Sequence, residues 1–523
     1  MLSQAETIGF GFLLSLLRVS LHASPYLLIG FLTAGALRTL AGSDRWRALF
    51  EGGRWPAPLK AWLAAMLLPV CSLGVLPILR ELRRAGVTTP AILTFAIAAP
   101  TLNPLSLSYG ASYLGPRVLA ILMLGTFVVS AGAGIALGYF SPEDRGRGEA
   151  AADGEESAAP APGSSRIAAA VANAAAAASG PALGDIAAGI LGAGFVAAIV
   201  SPSFLSSATF AGDRMAIPAM ALAAPLSYLT PEQGMVIVPE MIKFRQSAGA
   251  MVVLMILGVG MSLGHVTWIR REYGRRIAGT WLLLVAIPTL GFAAIADRLL
   301  PPVGTANEDN DHFDLLSNPF SGHHGPSDLA RAARRIVSRA GAANVAAAGL
   351  LILLSGVGFA MRNPPLRERL KSIGGPSRTG RVEDAPALWN RPLPAWLAPA
   401  TMLAGVPAIV AAGFLAYFPS PADAFRDMAI IKADFYGELG SPSPDASLYH
   451  LDLWDRQAGR LEVGAWIRLT SPGPEASRRV RELKEGLGSL RSDLEQGRSD
   501  LARRRFPEIQ DRLERCRIAF QVR

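Results

Sequence analysis

The sequence is poor in the residues that build most soluble active sites and secreted scaffolds. Among 523 residues there are two cysteines and six histidines, with aromatics at 7% and charged residues at 17%. Cys71 lies in an apolar stretch and Cys516 in a charged one, far along the chain, so no disulfide framework follows. A Walker phosphate loop, a nucleophile elbow and an HExxH pair are all missing from the sequence, which argues against ATP-driven or hydrolytic chemistry in this chain. No catalytic residue, cofactor or metal ligand set is expected. The net charge of +9 sits in short basic clusters between apolar runs, with no nucleic-acid-binding motif beside it.

What the sequence has is apolar length. Hydrophobic residues make up 51% and the mean hydropathy is +0.32, values that point to an all-α polytopic membrane protein. The N-terminus has no basic segment before its apolar run and reads as a retained membrane segment. Residues 5–22, carrying Arg18 and His22, are expected as an interfacial helix. Ten apolar stretches are long enough to cross a bilayer: 24–42, 58–79, 88–111, 117–139, 183–205, 214–231, 247–269, 278–299, 341–361 and 394–418.

The chain divides into a first half (1–140), a linker (141–182), a second half (183–300), a polar connection (301–340), two further crossings (341–418) and a C-terminal domain (419–523). Basic residues collect in 43–57, 270–277 and 362–393, which marks that side as cytoplasmic and puts the C-terminal domain outside the inner membrane. Arg80, Arg83 and Arg84 are the misfit, since ten crossings place them on the outer side. The two halves share a pattern: "PILRELRRAG" from Pro77 and "PEMIKFRQSAG" from Pro239 each precede an apolar span, and the crossing count orients them in parallel.

In the C-terminal domain, "SLYHLDLWDRQAGRLEVGAWIRLT" alternates about a glycine and predicts a hairpin, hence an α+β domain. From Val480, leucines at 483, 487, 490, 494 and 501 mark an amphipathic helix. It either packs on its own hairpin or, within 474–517, pairs with a second copy or another protein.

Three stretches carry candidate chemistry. "LLPVCSLGVLPILRELRRAG" (67–86) places Pro69 and Pro77 around Cys71, Ser72 and Gly74, and closes on Gly86. Prolines remove backbone donors, so this apolar helix must break, and half-helix ends at such a break often form a transporter's substrate site. Cys71 reads as a soft ligand or as a small buried hydrophobe. In "AIAAPTLNPLSLSYG", Pro100 and Pro104 bracket Asn103, which would either contact substrate or bond another helix. Glu81 in the first half, and Glu240 with Lys243 in the second, are candidate coupling residues or headgroup-level charges. The His-containing loop with His312, His323 and His324 has ligand types without ordered spacing.

The segments "SPYLLIGFLTAGALRTL" and "LLPVCSLGVLPILRELRRAGVTTPAILTFAIAAPTLNPLS" resemble the predicted permease family that includes the YraQ-like proteins and organoarsenical efflux permeases. The family's P-x-C-S-C-G-x-x-P element falls on Pro69, Cys71, Ser72, Gly74 and Pro77, with Gly86 and Pro100 following. Its second cysteine is Leu73 here, so a pair of thiols has become one. The resemblance implies a permease, expected to export a small solute or ion by secondary transport, more firmly than an arsenical substrate. The rival expectation is a membrane scaffold that displays the C-terminal domain to a partner.

Overall fold

The computed structural model describes residues 4–40, 49–50, 55–140, 166–199, 209, 211–243, 246–300, 318–320, 327–362, 397–439, 444–470 and 472–522. The linker from 141 to 165 and the histidines at 312, 323 and 324 lie outside them. The described residues form helices in both membrane halves, as the apolar content requires. Five helices are long and apolar enough to cross a membrane, or up to eight if each bent pair counts as one span.

The first half begins with α1 (Gln4–Leu40), one helix of 37 residues where an interfacial helix and a crossing were expected. Pro25 sits inside it without breaking it. The carbonyl that Pro25 leaves without a helical donor is that of Leu21, and it accepts from Ser24 Oγ at 2.8 Å. After α1 come α2 (Pro56–Ala65) and α3 (Val75–Arg84), each of ten residues, then α4 (Thr89–Thr101), α5 (Pro104–Tyr113) and α6 (Gly115–Phe140). Ten helical residues reach only about 15 Å, half a hydrocarbon core. The stretch 58–79 therefore does not cross: α2 goes in, the chain breaks over 66–74, and α3 comes back.

Helix α7 (Arg166–Ala178) leads into the second half, which repeats this order. It contains α8 (Ala182–Ile199), the short α9 (Ala216–Ala223) continued by a 3-10 turn to Leu226, and α10 (Pro231–Lys243). Then α11 (Ala248–Val253) runs through a π-turn to Val259, and α12 (Leu263–Tyr273) and α13 (Arg275–Leu299) follow. The expected crossing at 214–231 is again a hairpin that goes halfway.

Contacts at the helix ends fix the directions. Arg83 at the end of α3 meets Glu272 at the end of α12 at 3.5 Å, and Arg271 meets Asp185 at the start of α8 at 2.6 Å. Pro90, just after α3, packs on Gly138 at the end of α6. These groups mark one end of the bundle, the arginine end. At the other end Arg117, at the start of α6, donates to the Leu299 carbonyl at 2.9 Å, and Ser247, before α11, donates to Asp297 near the end of α13 at 2.9 Å. So α3 runs from the middle to the arginine end and α10 from the middle to the opposite end. The halves are inverted, not parallel. Reading 58–79 and 214–231 as full crossings produced the parallel count, and the half-depth hairpins also return Arg80 and Arg84 to the end where α1 finishes, beside Arg38.

Helix α14 (Ser327–Arg362) packs along α1 and kinks at Gly341, whose φ of 79° suits glycine alone. Helix α15 (Leu397–Tyr417) packs on α5 and ends beside Gly115, 3.2 Å from an added Cβ there. The C-terminal domain follows as α16 (Pro421–Glu438), α17 (Asp445–Ile467), α18 (Pro474–Glu495) and α19 (Ser499–Ala519). Its core holds Phe435, Trp454, Leu483, Leu487 and Phe506. The expected hairpin is the helix α17, and no strand occurs among the described residues of this domain. Its buried Leu451, Trp454, Ala458, Leu461 and Ala465 step by three and four, a helical stripe that outweighs the local alternation. The leucine stripe of α18 is spent on that same four-helix core.

Arg468 joins this domain to the membrane region. It donates to the carbonyls of Leu415 at 2.9 Å, Phe418 at 2.6 Å and Gly464 at 3.0 Å. Arg460 lies over the Tyr417 ring at 3.9 Å.

Candidate functional site

The site is built from four breaks that meet at mid-depth. The first hairpin turns at 66–74, where Met66 packs with Leu102 and Leu107 at the break between α4 and α5. The second turns at 227–230, after Ala224 has packed against Gly258 in the π-turn. The break between α11 and α12 at 260–262 lies against the first half too, since a Cβ on Gly260 would stand 2.5 Å from Thr101 Oγ1. Four helices, α3, α5, α10 and α12, start at these breaks, so their unpaired N–H groups gather where no bulk water reaches.

At the first tip Cys71, Ser72 and Leu73 are fully buried. Cys71 Sγ accepts from Gly74 N at 3.3 Å while its carbonyl accepts from Val75 N at 3.0 Å and opens α3. Ser72 Oγ is buried with no hydrogen-bond partner. The Tyr228 hydroxyl of the opposite tip faces the Cys71 thiol and is likewise buried with no well-formed bond. Gly74 is required for closeness: a Cβ there would stand 2.5 Å from the Tyr26 carbonyl oxygen of α1. Pro69 is half-buried in the break itself, and Pro77 sits in the first turn of α3, where a missing N–H costs nothing. Gly86, at φ 75°, closes α3 with Gly86 N to Arg83 O at 3.0 Å and Val87 N to Leu82 O at 3.1 Å, a Schellman stop.

Asn103 is fully buried and holds the next break together. Its Oδ1 accepts from Ser106 N at 2.8 Å and caps α5, while its Nδ2 donates to the Val70 carbonyl of the hairpin at 3.1 Å. Pro104 opens α5 at its first position. Pro100 lies inside the last turn of α4 and leaves the Ala96 carbonyl without its helical donor. That carbonyl bonds His265 Nε2 of α12 at 3.1 Å, and His265 Nδ1 lies 3.2 Å from Ser262 Oγ. With the Ala96 carbonyl as acceptor, Nε2 carries the proton and Nδ1 accepts from the serine. His265 escaped the sequence reading; the signal was a proline whose orphaned carbonyl needed a donor from elsewhere.

The proposed coupling residues lie away from the tips. Glu81 is near the arginine end of α3, paired with Arg84 at 2.7 Å. Glu240 is near the opposite end of α10, beside Tyr449 of α17, and Lys243 is the last residue of α10. Burial, with Glu240 adding, pushes the Tyr449 hydroxyl up to about 12. The carboxylate nearest the tips is Glu232, in the first turn of α10, which accepts from the Tyr26 hydroxyl of α1. Among the described residues no group of three or more His, Cys, Asp or Glu is placed to hold a metal ion.

A family model described as "Predicted permease" (ArsP_1) matches residues 11–297, from α1 through α13. The UPF0718 protein YcgR of Bacillus subtilis (strain 168) is 29% identical over 123 residues, 23% of this chain and 42% of that protein. The chain thus covers less than half the length of this relative. No solved structure matches the chain. Two half-depth hairpins and two broken spans around buried polar breaks, within the stretch matched by the family model, make this chain a multi-pass membrane protein that belongs to the predicted permease family.

Proposed function

We propose that the chain is a secondary permease that exports a small solute or ion through the meeting point of the two hairpin tips. The observation that carries this reading is that tips entering from opposite ends bring Cys71, Ser72 and Tyr228 together, two of them with hydroxyls lacking good partners. Unspent polar groups at mid-depth are costly unless something binds them. Inverted repeats with discontinuous helices are a recurrent transporter design, in which the half-helix ends face the substrate. In this reading Cys71 and Ser72 contact the solute. Asn103, Pro69, Gly74, Pro77, Gly86, Pro100 and Pro104 shape the breaks.

A single thiol beside Leu73 suits a neutral or weakly held soft species, such as a trivalent metalloid, rather than a tightly caged cation. The arginine end, with Arg38, Arg80, Arg83, Arg84, Arg270, Arg271, Arg275 and Arg276, is then cytoplasmic. The C-terminal domain, at the opposite end, faces outward from the inner membrane. Flux of a trivalent organoarsenical into everted vesicles tests the site: Cys71→Ser should lower it at unchanged protein level, and unchanged flux would sink the assignment. Protease access to 419–523 in intact spheroplasts tests the orientation.

A further inference from the structure

We propose that Glu232 is the proton-binding site of this permease and that His22 and Tyr26, on one face of α1, are its path from the C-terminal-domain end, with Arg18 a fixed charge beside His22. The inference rests on reading the hairpin tips as the transport site.

Glu232 is half-buried in the first turn of α10, directly after the second tip, where a helix N-terminus favours a carboxylate. Its hydrogen-bond donor is the Tyr26 hydroxyl, and no ion pair to it exists among the described residues. Of the other buried or half-buried acids in the membrane halves, Glu81 pairs with Arg84, Asp185 with Arg271 and Glu272 with Arg83, while Glu240 lies near the far end of α10, away from the tips.

The groups facing Glu232 come from each neighbouring element. From α1 come Tyr26 and His22, with Arg18 next to His22; from the first tip, Cys71; from the second tip, Tyr228. Tyr109 of α5 reaches the group through Tyr26. Residues 18, 22 and 26 are spaced by four and share one face of the helix. His22 Nδ1 lies 3.4 Å from Asn344 Nδ2 of α14, at the half of α1 that leads away from the arginine end. An imidazole can accept a proton on one nitrogen and release one from the other, so it suits the middle of such a path.

The step is a protonation alone. Glu232 carboxylate takes one proton arriving from the outer end and becomes a neutral acid; no other reactant enters. The bond from Tyr26 loses its ionic character, which loosens the tie between α1 and the second hairpin at the edge of the solute site. Release of that proton restores the tie. Solute at Cys71 and proton at Glu232 therefore act on the same tip.

The test uses the full-length protein in liposomes on a solid-supported membrane, with pH jumps and no other solute, so that the proton itself is the probe. The wild type should give a transient charge displacement that titrates with pH. Glu232→Gln should abolish it, while Glu81→Gln and Glu240→Gln should keep it. Tyr26→Phe, which removes the hydroxyl that hands the proton to Glu232, should slow the displacement at least tenfold. An unchanged current in Glu232→Gln overturns the proposal and leaves the Tyr26 bond as a structural clamp. Should Glu232→Gln not fold, an unchanged displacement rate in Tyr26→Phe overturns it. Organoarsenical flux in Cys71→Ser vesicles decides the transport-site reading separately: unchanged flux there overturns that reading and leaves the pH-jump result standing.

Discussion

Pro100 and His265 make a pair whose coupling can be measured. Replacing His265 with leucine leaves the Ala96 carbonyl, already without its helical donor, buried and unsatisfied. Soluble proteins lose about 1–3 kcal/mol for such an orphan. Hydrogen bonds between membrane helices average only about 0.6 kcal/mol, because the unfolded state in lipid also finds partners. The expected cost of His265→Leu is therefore about 1–2 kcal/mol. Pro100→Ala puts an N–H back four residues after Ala96, so in that background the carbonyl has a donor whether or not the histidine is present. The double variant should recover about 1 kcal/mol relative to the sum of the singles. Equilibrium unfolding in mixed micelles, run as a double-mutant cycle, gives this number directly. Additivity within about 0.3 kcal/mol would show that the histidine is held by packing alone, and the reasoning fails.

Asn103→Ala removes a cap and the link to Val70 at once and should cost about 2–3 kcal/mol, whereas Asn103→Ser keeps the cap and should cost about 1 kcal/mol less; equal destabilisation in the same unfolding assay would show that the cap is idle. Gly74→Ala should prevent tight closure of the first hairpin on α1, because its Cβ meets backbone and not a movable side chain; wild-type thermal stability and flux would contradict this. In the C-terminal domain, Asp493 is buried and paired with the half-exposed Arg498 at 2.9 Å and Arg505 at 3.0 Å, so Asp493→Ala should cost about 1 kcal/mol, as read by the thermal midpoint of that domain. Burial, with Asp423 adding, raises the Asp427 carboxyl above its ordinary value. Its charged form is the disfavoured one, so this residue's penalty is absent below the unfolded-state pKa and grows as pH rises through the folded one. Asp427→Asn should accordingly stabilise the domain at pH 7 and make no difference near pH 3, and an equal effect at both would refute it. Burial pushes the Cys516 thiol up to about 12, so maleimide at pH 7 should label it only after unfolding.

The breaks were legible because proline and glycine act through the backbone of their own segment: Pro69, Gly74, Pro77, Pro100 and Pro104 all fall at or beside an interrupted helix. Depth was not legible. A largely apolar stretch of 22 residues, 58–79, satisfies any length rule, and only its two ten-residue helices show that it turns back. The expectation of parallel halves followed from that reading and the same one at 214–231. Glu232 drew no notice in the sequence because adjacent charges mark a segment there, while nearness to the tips depends on two stretches more than a hundred residues apart. The C-terminal hairpin failed for a different reason. Alternation and a three-to-four step coexist in residues 447–470, and burial of Trp454 and Leu461 decided between them.

If each bent pair counts as one span, each half of the permease core holds three: α1, α4 with α5, and α6 in one, and α8, α11 with α12, and α13 in the other. A segment with an odd count leaves its C-terminus on the side opposite its start. A tandem copy must then insert upside down without any reversal of its own sequence. The half-depth hairpins are what keep the count odd. Had both been true crossings, a tandem second half would face the same way as the first, and the two tips would have had no partner to meet.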